Sequence, residues 1–549
     1  MSRKILIVGG VAGGSTAATR LRRLDEQAEI VLFEKGPYIS FANCGLPYYI
    51  GETIQDRNKL LVQTVEGMSA RYNMSVRTSS EVTAVDRKAK SVMVKNVDTG
   101  ETYQESYDDL ILSPGARPVV PPIEGIQDAE SLFTLRNVPD TDRIKAYIDQ
   151  QHPKHAVVVG GGFIGLEMAE NLHDRGLDVT IIEMSNQVMG PIDYEMASII
   201  HRHLNDKGIQ LILDDGVKAF ENNGNKVVTG NGLEIETDMI LLSIGVRPEN
   251  ELAKNAGLAI GERGGIQVND LLQTSDPHIY AIGDAIEVND YTNQQPTMVP
   301  LAWPANRQGR IAADNIYDKN TTYKGTLGTS IAKVFDYTVA ATGNNEKTLT
   351  RLGISYEVVH VHPASHAGYY PGAESIALKL IFDKESGRIY GAQAVGKDGA
   401  DKRIDVIATA MKGGLTVMDL SDLELAYAPP YSSAKDPVNM AGYTATNIVE
   451  GMAESVQWHE IDAITENGGT LVDVRNPHEL EQGYIDGAVN IPLDELRSRL
   501  TEIPAGETVY VNCQAGLRGY IATRILEENG LNAINLDGGW NTYAAAYDK

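Results

Sequence analysis

Cysteine is nearly missing from this sequence: Cys44 and Cys513 are the only two among 549 residues. Disulfides are therefore not what holds the chain together, and so sparse a count fits a reducing, cytoplasmic compartment. Long apolar runs are missing too. No stretch approaches the ~20 consecutive apolar residues of a membrane helix. The apolar start Ile5-Leu6-Ile7-Val8 breaks into Gly9-Gly10 too early for a signal-peptide core. No membrane partner is expected. Positive charge is scarce, with 48 Lys and Arg against 74 Asp and Glu and a net charge of −26. That balance argues against nucleic acid as a partner, while leaving room for a local basic pocket that takes one small anion. Low-complexity linkers and charge runs are absent as well. What remains is long enough for three or four domains of roughly 100–200 residues, each with its own core.

The N-terminal half contains an echo. Ile5-Leu6-Ile7-Val8-Gly9-Gly10-Val11-Ala12-Gly13-Gly14 resembles Ala156-Val157-Val158-Val159-Gly160-Gly161-Gly162-Phe163-Ile164-Gly165. Each is a short continuous apolar run, as a strand covered on both faces should be, followed by glycines and a helical stretch. A second echo follows each at similar distance: Leu110-Ile111-Leu112-Ser113-Pro114-Gly115-Ala116-Arg117-Pro118 and Ile240-Leu241-Leu242-Ser243-Ile244-Gly245-Val246-Arg247-Pro248. Two such units imply two nucleotide-binding domains, and the period is far too long for a solenoid. Glycines in such a turn let the backbone approach a pyrophosphate whose charge sits at a helix N-terminus, and an acid ending the next strand accepts from the adenosine ribose. The second copy has Gly160, Gly162 and Gly165, with Glu183 ending Val179-Thr180-Ile181-Ile182. A carboxylate there repels a ribose 2′-phosphate, which favours NADH over NADPH. The first copy has Gly9 and Gly14 with Val11 at the usual middle glycine, and Glu34 ends Ile30-Val31-Leu32-Phe33.

The segment Thr274-Ser275-Asp276-Pro277-His278-Ile279-Tyr280-Ala281-Ile282-Gly283-Asp284-Ala285 resembles the second flavin motif of the two-dinucleotide-binding disulfide oxidoreductases. The resemblance implies that Asp284 hydrogen-bonds the ribityl chain of FAD in the N-terminal site, while NADH occupies the central one, a hydride donor facing its acceptor. The implied FAD contacts are Gly9, Val11, Ala12, Gly14, Glu34, Lys35, Ser113, Gly115, Asp284 and Ala285; the implied NADH contacts are Gly160, Gly162, Phe163, Ile164, Gly165 and Glu183.

Cys44 lies in Tyr38-Ile39-Ser40-Phe41-Ala42-Asn43-Cys44-Gly45-Leu46-Pro47-Tyr48, where Asn43 and Gly45 suit a turn immediately before a helix. A lone cysteine is more often a small buried hydrophobe, but the polar flanks and loop position weigh against that here. A reactive thiol needs a lowered pKa, so a lowered Cys44 is the expectation. Neither Ser40 nor Leu46 through Ile50 offers a second thiol. Cys44 must then cycle as a mixed disulfide, a persulfide or a sulfenic acid. The motif Ser40-Phe41-Ala42-Asn43-Cys44-Gly45 resembles the single-cysteine branch of the same family over about residues 1–450. That branch comprises CoA-disulfide reductases, NADH-dependent persulfide reductases, and NADH oxidases and peroxidases.

Arg20, Arg22 and Arg23 follow the first glycine loop, Arg20 and Arg23 sharing a helix face. The residues alone leave two readings: a pocket for the phosphorylated ADP end of coenzyme A, or a solvated face near a helix C-terminus. The resemblance to CoA-disulfide reductases favours the first and implies CoA contacts at Thr16, Arg20, Arg23, Ser40, Asn43, Arg71, Asn306 and Lys435, with Arg71 where lysine is common. It also implies a homodimer in which Ala426-Tyr427-Ala428-Pro429-Pro430-Tyr431-Ser432 and His366-Ala367-Gly368-Tyr369-Tyr370-Pro371 carry catalytic tyrosines across the interface. Tyr427 and Tyr369 are the assignments, Tyr431 and Tyr370 the alternatives, as phenols that stabilise a leaving thiolate.

From about residue 325 the glycine loops stop and strands rich in Val, Ile and Tyr alternate with helices, ending near Glu454 after a helical stretch from Pro437 to Met452. A further unit begins at Val456-Gln457-Trp458, with strands Thr470-Leu471-Val472-Asp473-Val474 and Thr508-Val509-Tyr510-Val511-Asn512. Cys513-Gln514-Ala515-Gly516-Leu517-Arg518 suits a cradle of backbone N–H groups around a thiolate or its persulfide. With Gly483-Tyr484-Ile485-Asp486-Gly487-Ala488 and Leu536-Asp537-Gly538-Gly539-Trp540, it resembles rhodanese-type sulfurtransferases, which makes Cys513 and Arg518 candidate catalytic residues beside Cys44.

The expected fold is α/β: two Rossmann-like dinucleotide-binding domains, an α+β dimerisation domain and a C-terminal α/β rhodanese domain. The expected bounds are 1–117 with 249–324 for FAD, 118–248 for NADH, 325–454 for dimerisation and 455–549 for the rhodanese-like part. The expected activity is NADH- and FAD-dependent reduction of persulfide, polysulfide or CoA disulfide through Cys44, coupled to sulfane-sulfur handling at Cys513. The alternatives are an NADH oxidase or peroxidase using a sulfenic acid, and a sulfur-carrier or sensor protein.

Overall fold

The computed structural model describes residues 2–547. They form two compact units: one runs to Ser185 and resumes over Gly208–Gly328, the other comprises Asn186–Lys207 and the chain from Thr329 onward.

The first unit is built on two parallel five-stranded sheets. In one, Lys4–Val8 lies between Glu29–Phe33 and Asp109–Leu112, with Ser75–Arg77 and Ile279–Ala281 at the edges. In the other, His155–Val159 lies between Asp178–Ile182 and Met239–Leu242, with Gln210–Ile212 and Leu132–Phe133 outside them. The continuous apolar runs are buried, as strands covered on both faces require. The second echo is structural too: Ile7 pairs with Ile111 and Val157 with Ile240. Ser113 and Ser243 then donate their backbone N–H groups to Val8 and Val159, each at 2.8 Å. Those serines stand so close to the glycine loops that a Cβ on Gly9 would lie 2.0 Å from the Ser113 carbonyl, and one on Gly160 2.6 Å from that of Ser243. Both glycines also have positive φ, +97° and +106°. The two turns beyond, Ala116–Pro118 and Val246–Pro248, pair with each other as an antiparallel ribbon.

In the second unit an antiparallel sheet runs in the order Ser330–Val334, Tyr337–Gly343, Ile389–Gly396, Ile376–Phe382, Glu357–Val361. Every residue of Ile376–Phe382 is buried, including Lys379. A parallel sheet of Ser455–Val456, Ala533–Leu536, Val509–Asn512, Thr470–Asp473 and Val489–Asn490 follows. The helix Tyr194–Asp206 belongs to this unit, where it packs on Gly539–Tyr547. Two elements are shorter than the sequence suggests. The strand from Thr470 ends at Asp473, whose carboxylate accepts from the Arg475 N–H at 3.0 Å and turns the chain. The helix from Pro437 opens on the capping box of Asp436 and Asn439 and stops at Val449, because Gly451 takes positive φ. Among the described residues no helix is long and apolar enough to cross a membrane.

Candidate active site

The two glycine loops have the same local chemistry. The Glu34 carboxylate accepts from the N–H groups of Gly10 at 2.9 Å and Gly36 at 2.8 Å. The Glu183 carboxylate accepts from Gly161 at 2.8 Å and from the N–H and hydroxyl of Ser185. Gly9, Gly14, Gly160 and Gly165 allow the loop to close on itself: a Cβ on Gly14 or Gly165 would lie 1.9 Å from the carbonyl of Gly9 or Gly160. Gly162 differs, for nothing lies within 4 Å of its Cβ position, where it opens the helix Phe163–Asp174 with Phe163 and Ile164 in the first turn. In the first loop Val11 and Ala12 open the helix Ala12–Leu24. Ser113 and Gly115 follow the adjoining strand, and Lys35 is exposed and paired with Glu81 at 2.8 Å. Asp284 and the buried Ala285 form one short turn after Ile279–Ala281. Burial pushes the Asp284 carboxyl up to about 6 against the opposing charge of Arg136. Among the described residues, burial and the Arg136 charge act on it and no hydrogen-bond donor does. A partly desolvated carboxylate without a donor suits a ligand hydroxyl, and open space over a helix N-terminus suits a phosphate. The residues therefore fit FAD at the first loop and NADH at the second.

Cys44 is a free, exposed thiol in the single turn Asn43–Gly45, directly before the helix Leu46–Ile50. The loop is tied to the first glycine loop by the Ser40 N–H, which donates to the Gly10 carbonyl at 2.7 Å. It is tied to its own hairpin by the Ala42 N–H, which donates to Leu60 at 2.8 Å. Leu46–Ile50 packs against Phe163–Asp174, the helix that opens on the second glycine loop. One thiol is thus held beside the first glycine loop and next to the helix that the second one opens. Its pKa departs from expectation. Surrounding protein pushes the Cys44 thiol up, the Glu167 and Asp284 charges add to that, and only its own backbone N–H opposes. No positive charge among the described residues acts on the thiol itself to offset them. Sequence reasoning missed Glu167, half-buried on Phe163–Asp174, which desolvation raises to about 7 while the Tyr48 hydroxyl at 3.5 Å opposes. Tyr48 in turn is pushed to about 12 by burial and by Glu167. The position of Glu167, two residues after Gly165, was a signal in plain view.

Of the residues expected to hold coenzyme A, all but Lys435 lie in the first unit. Thr16 and Asn306, distant in sequence, meet through a 2.6 Å hydrogen bond where Ala12–Leu24 packs on Ala302–Ile316. Arg20 is half-buried and paired with Asp314 at 2.6 Å. Arg23 and Arg71 are exposed and have no ion-pair partner among the described residues. Arg22, read from sequence as part of the basic cluster, is buried and donates to five backbone carbonyls, those of Asp25, Glu26, Ala28, Tyr72 and Asn73. It joins the ends of the two helices that carry Arg23 and Arg71. Ser40, at φ +45°, and the exposed Asn43 sit in the Cys44 loop itself. Lys435, in the second unit, is exposed with its ammonium 5.8 Å from the Tyr443 ring centre.

The tyrosine pair is a direct contact: the exposed hydroxyls of Tyr369 and Tyr427 lie 2.7 Å apart, and this bond raises Tyr369. Tyr370 instead lies edge-on to His366, and Tyr431 stands free in solvent.

Cys513 is buried at the end of Val509–Asn512 and is also a free thiol. Its Sγ accepts from one backbone N–H, that of Gly516, at 3.1 Å. The Arg518 fork is held by Glu479 through bonds of 2.7 and 2.6 Å. Beneath the loop, Arg475 pairs with Asp473 at 2.8 Å, both fully buried, and stacks over Trp540.

Residues 3–309 match the pyridine nucleotide-disulphide oxidoreductase family, 329–437 its dimerisation domain, and 457–546 the rhodanese-like domain. The coenzyme A disulfide reductase of Staphylococcus haemolyticus (strain JCSC1435) is 41% identical over 451 residues, which is 81% of this chain and all of that protein. The crystal structure of reduced Bacillus anthracis CoADR-RHD is 62% identical with a TM-score of 0.99, covering 100% of this chain and 99% of the other. The NAD-dependent persulfide reductase of A. fulgidus is 37% identical with a TM-score of 0.92, covering 98% of this chain and 100% of the other.

Proposed function

Because the chain belongs to the pyridine nucleotide-disulphide oxidoreductase family and carries a rhodanese-like domain, we propose that it reduces persulfide, polysulfide or CoA-disulfide substrates with NADH through Cys44, and that Cys513 handles sulfane sulfur. The observation that carries this reading is the placement of one exposed, solitary thiol: its loop is bonded to the first glycine loop, and the helix that follows it packs on the helix opened by the second.

FAD is held by Gly9, Val11, Ala12, Gly14, Glu34, Lys35, Ser113, Gly115, Asp284 and Ala285, and NADH by Gly160, Gly162, Phe163, Ile164, Gly165 and Glu183. When bound, these two groups supply the electron pair that returns oxidised Cys44 to its thiolate. The substrate half is thiol exchange: a bond forms between Cys44 Sγ and one substrate sulfur as the substrate S–S bond breaks. The departing thiol or sulfide takes the electron pair and then a proton. Tyr369 and Tyr427 suit the stabilisation of that leaving charge. We assign them to the partner copy of a homodimer, in keeping with the matched dimerisation domain. Thr16, Arg20, Arg23, Ser40, Asn43, Arg71, Asn306 and Lys435 bind the coenzyme A part of the substrate. Arg23 and Arg71, exposed and without acidic partners, are the free cations for its phosphates. At Cys513 the thiolate takes a sulfane sulfur, the donor's S–S bond breaking toward the donor, and passes it to coenzyme A. Arg518 stands beside this step. The two free thiols fit a reducing, cytoplasmic setting.

The test follows NADH consumption with CoA persulfide, CoA disulfide, oxygen and peroxide in turn. Cys44→Ser should abolish NADH consumption with both CoA substrates, and Cys513→Ser should leave CoA persulfide reduction intact. Faster turnover of oxygen or peroxide than of either CoA substrate would replace this reading with an oxidase or peroxidase. Failure of NADH to bleach the flavin without a partner protein would make the chain a sulfur carrier.

A further inference from the structure

The second unit buries a chain of charges that neither thiol reaction uses. Lys379, fully buried, pairs with Asp193 at 3.0 Å and with Glu195 and Glu346. The three carboxylates are spaced as ligands for a metal ion would be, but the lysine ammonium already lies among them. The Glu195 Oε1 that meets Lys379 also meets His360 Nε2 at 3.0 Å. On the other side, His360 Nδ1 is 2.6 Å from Asp537 Oδ2, and the His360 backbone N–H donates to both Asp537 oxygens at 3.0 Å. Burial works against a charged imidazole here, but the Asp537 charge and the bonds to Asp537 and Glu195 outweigh it and hold His360 up at about 9.

Asp537 opens the turn that supports the Cys513 loop. Gly538 and Gly539 follow, both at positive φ. A Cβ on Gly538 would lie 2.8 Å from His360 Cβ, and one on Gly539 2.3 Å from the Cys513 carbonyl. The Trp540 N–H donates to that carbonyl at 2.7 Å, and the Asn541 N–H to that of Gln514 at 3.0 Å. The Gln514 amide returns a 2.6 Å bond to Asn541. His360, on Glu357–Val361 of the antiparallel sheet, thus grips one end of a short rigid turn whose other end holds the backbone of the buried thiol.

We propose that His360 is a positioning residue for Cys513: by clasping Asp537 it fixes the turn Gly538–Asn541, so that sulfur transfer at Cys513 depends on a histidine of the antiparallel sheet. This rests on reading Cys513 as the sulfur-transfer thiol. The assay is sulfur transfer from thiosulfate to cyanide by the full-length flavin-loaded protein. The Cys513 thiolate takes the sulfane sulfur as sulfite leaves with the electron pair, and cyanide then removes that sulfur as thiocyanate. In His360→Asn the amide nitrogen falls where Nδ1 stood and still reaches Asp537; in His360→Gln it falls where Nε2 stood, toward Glu195. His360→Leu keeps neither. A turn displaced by about 1 Å costs roughly a hundredfold, so His360→Leu and His360→Gln should lose roughly tenfold to a hundredfold in kcat for thiocyanate formation. His360→Asn should recover most of it, and NADH-dependent reduction through Cys44 should stay unchanged in all three. Wild-type rates in all three, with Cys513→Ser inactive, would overturn the proposal; so would equal losses in all three that follow their melting temperatures. If Cys513→Ser transfers sulfur as fast as wild type, the sulfur-transfer reading itself fails. The rate of Cys513 alkylation by iodoacetamide, read by peptide mass, then decides the positioning alone: altered in His360→Leu and restored in His360→Asn supports it, unaltered refutes it.

Discussion

Cys44 stands in an exposed turn, yet protein packed around it and two nearby acids disfavour its charge. A thiol intended as a nucleophile is therefore held back by the polypeptide, and removing an acid should release it. Glu167→Gln is expected to lower the Cys44 pKa and raise its iodoacetamide alkylation rate severalfold at pH 7.5 in flavin-free protein. Asp284→Asn should act in the same direction and less strongly; a slower rate in either variant would contradict the electrostatic account. The arginines show how adjacent like residues diverge. Arg22, itself buried, gives charged donors to five backbone carbonyls, so Arg22→Ala should destabilise the protein by about 3 kcal/mol. Arg23→Ala, on the exposed side of the same turn, should leave stability unchanged and raise KM for CoA substrates. Urea unfolding and steady-state kinetics separate the two.

Among elements, the contact between Ala12–Leu24 and Ala302–Ile316 depends on small residues. A Cβ on Gly309 would come 2.4 Å from the Gly13 carbonyl, and this close approach is what lets Thr16 reach Asn306. Gly309→Ala should cost about 1–3 kcal/mol through overpacking and also weaken binding of the CoA part, both read from unfolding curves and KM. The resemblance brought Thr16 and Asn306 to one ligand, but the packing itself was not legible in the sequence, where the two residues lie 290 apart and neither helix shows which face meets the other. The strand–glycine–acid units were legible, because every component is local: an apolar run, a turn that only glycine fits, and a carboxylate one strand later.

Over the whole chain, two histidines, His360 on the strand Glu357–Val361 and His362 just after it, set opposing pH limits on the second unit. His360 holds its proton up to about 9, above the ordinary value near ~6.5. Its stabilisation is therefore complete below about pH 6.5 and is lost as pH rises through about 9. His362 is pushed down to about 3 by burial and by the His360 charge. It remains neutral when folded, so its stabilisation is present above about 6.5 and lost as pH falls toward 3. Thermal unfolding of the second unit should thus be most resistant near pH 6.5. His360→Gln should flatten the alkaline decline and His362→Gln the acid one; a wild-type curve without an alkaline decline would show that His360 is not charged in the folded protein.

Sequence alone determined that there are two nucleotide loops, one thiol without a neighbour near the first, and a second thiol at the head of a glycine-containing loop. Those features depend on residues adjacent in the chain, where backbone geometry and side-chain chemistry act within a turn or a strand. Tertiary structure decided which charges those residues feel. Glu167 and Asp284 weigh on Cys44, Arg22 turns inward while Arg23 does not, and Asp193, Glu195 and Glu346 gather around Lys379. Packing joins segments far apart in sequence and strips water from the groups between them, and in that drier setting a neighbouring charge counts for far more than it does on an exposed chain.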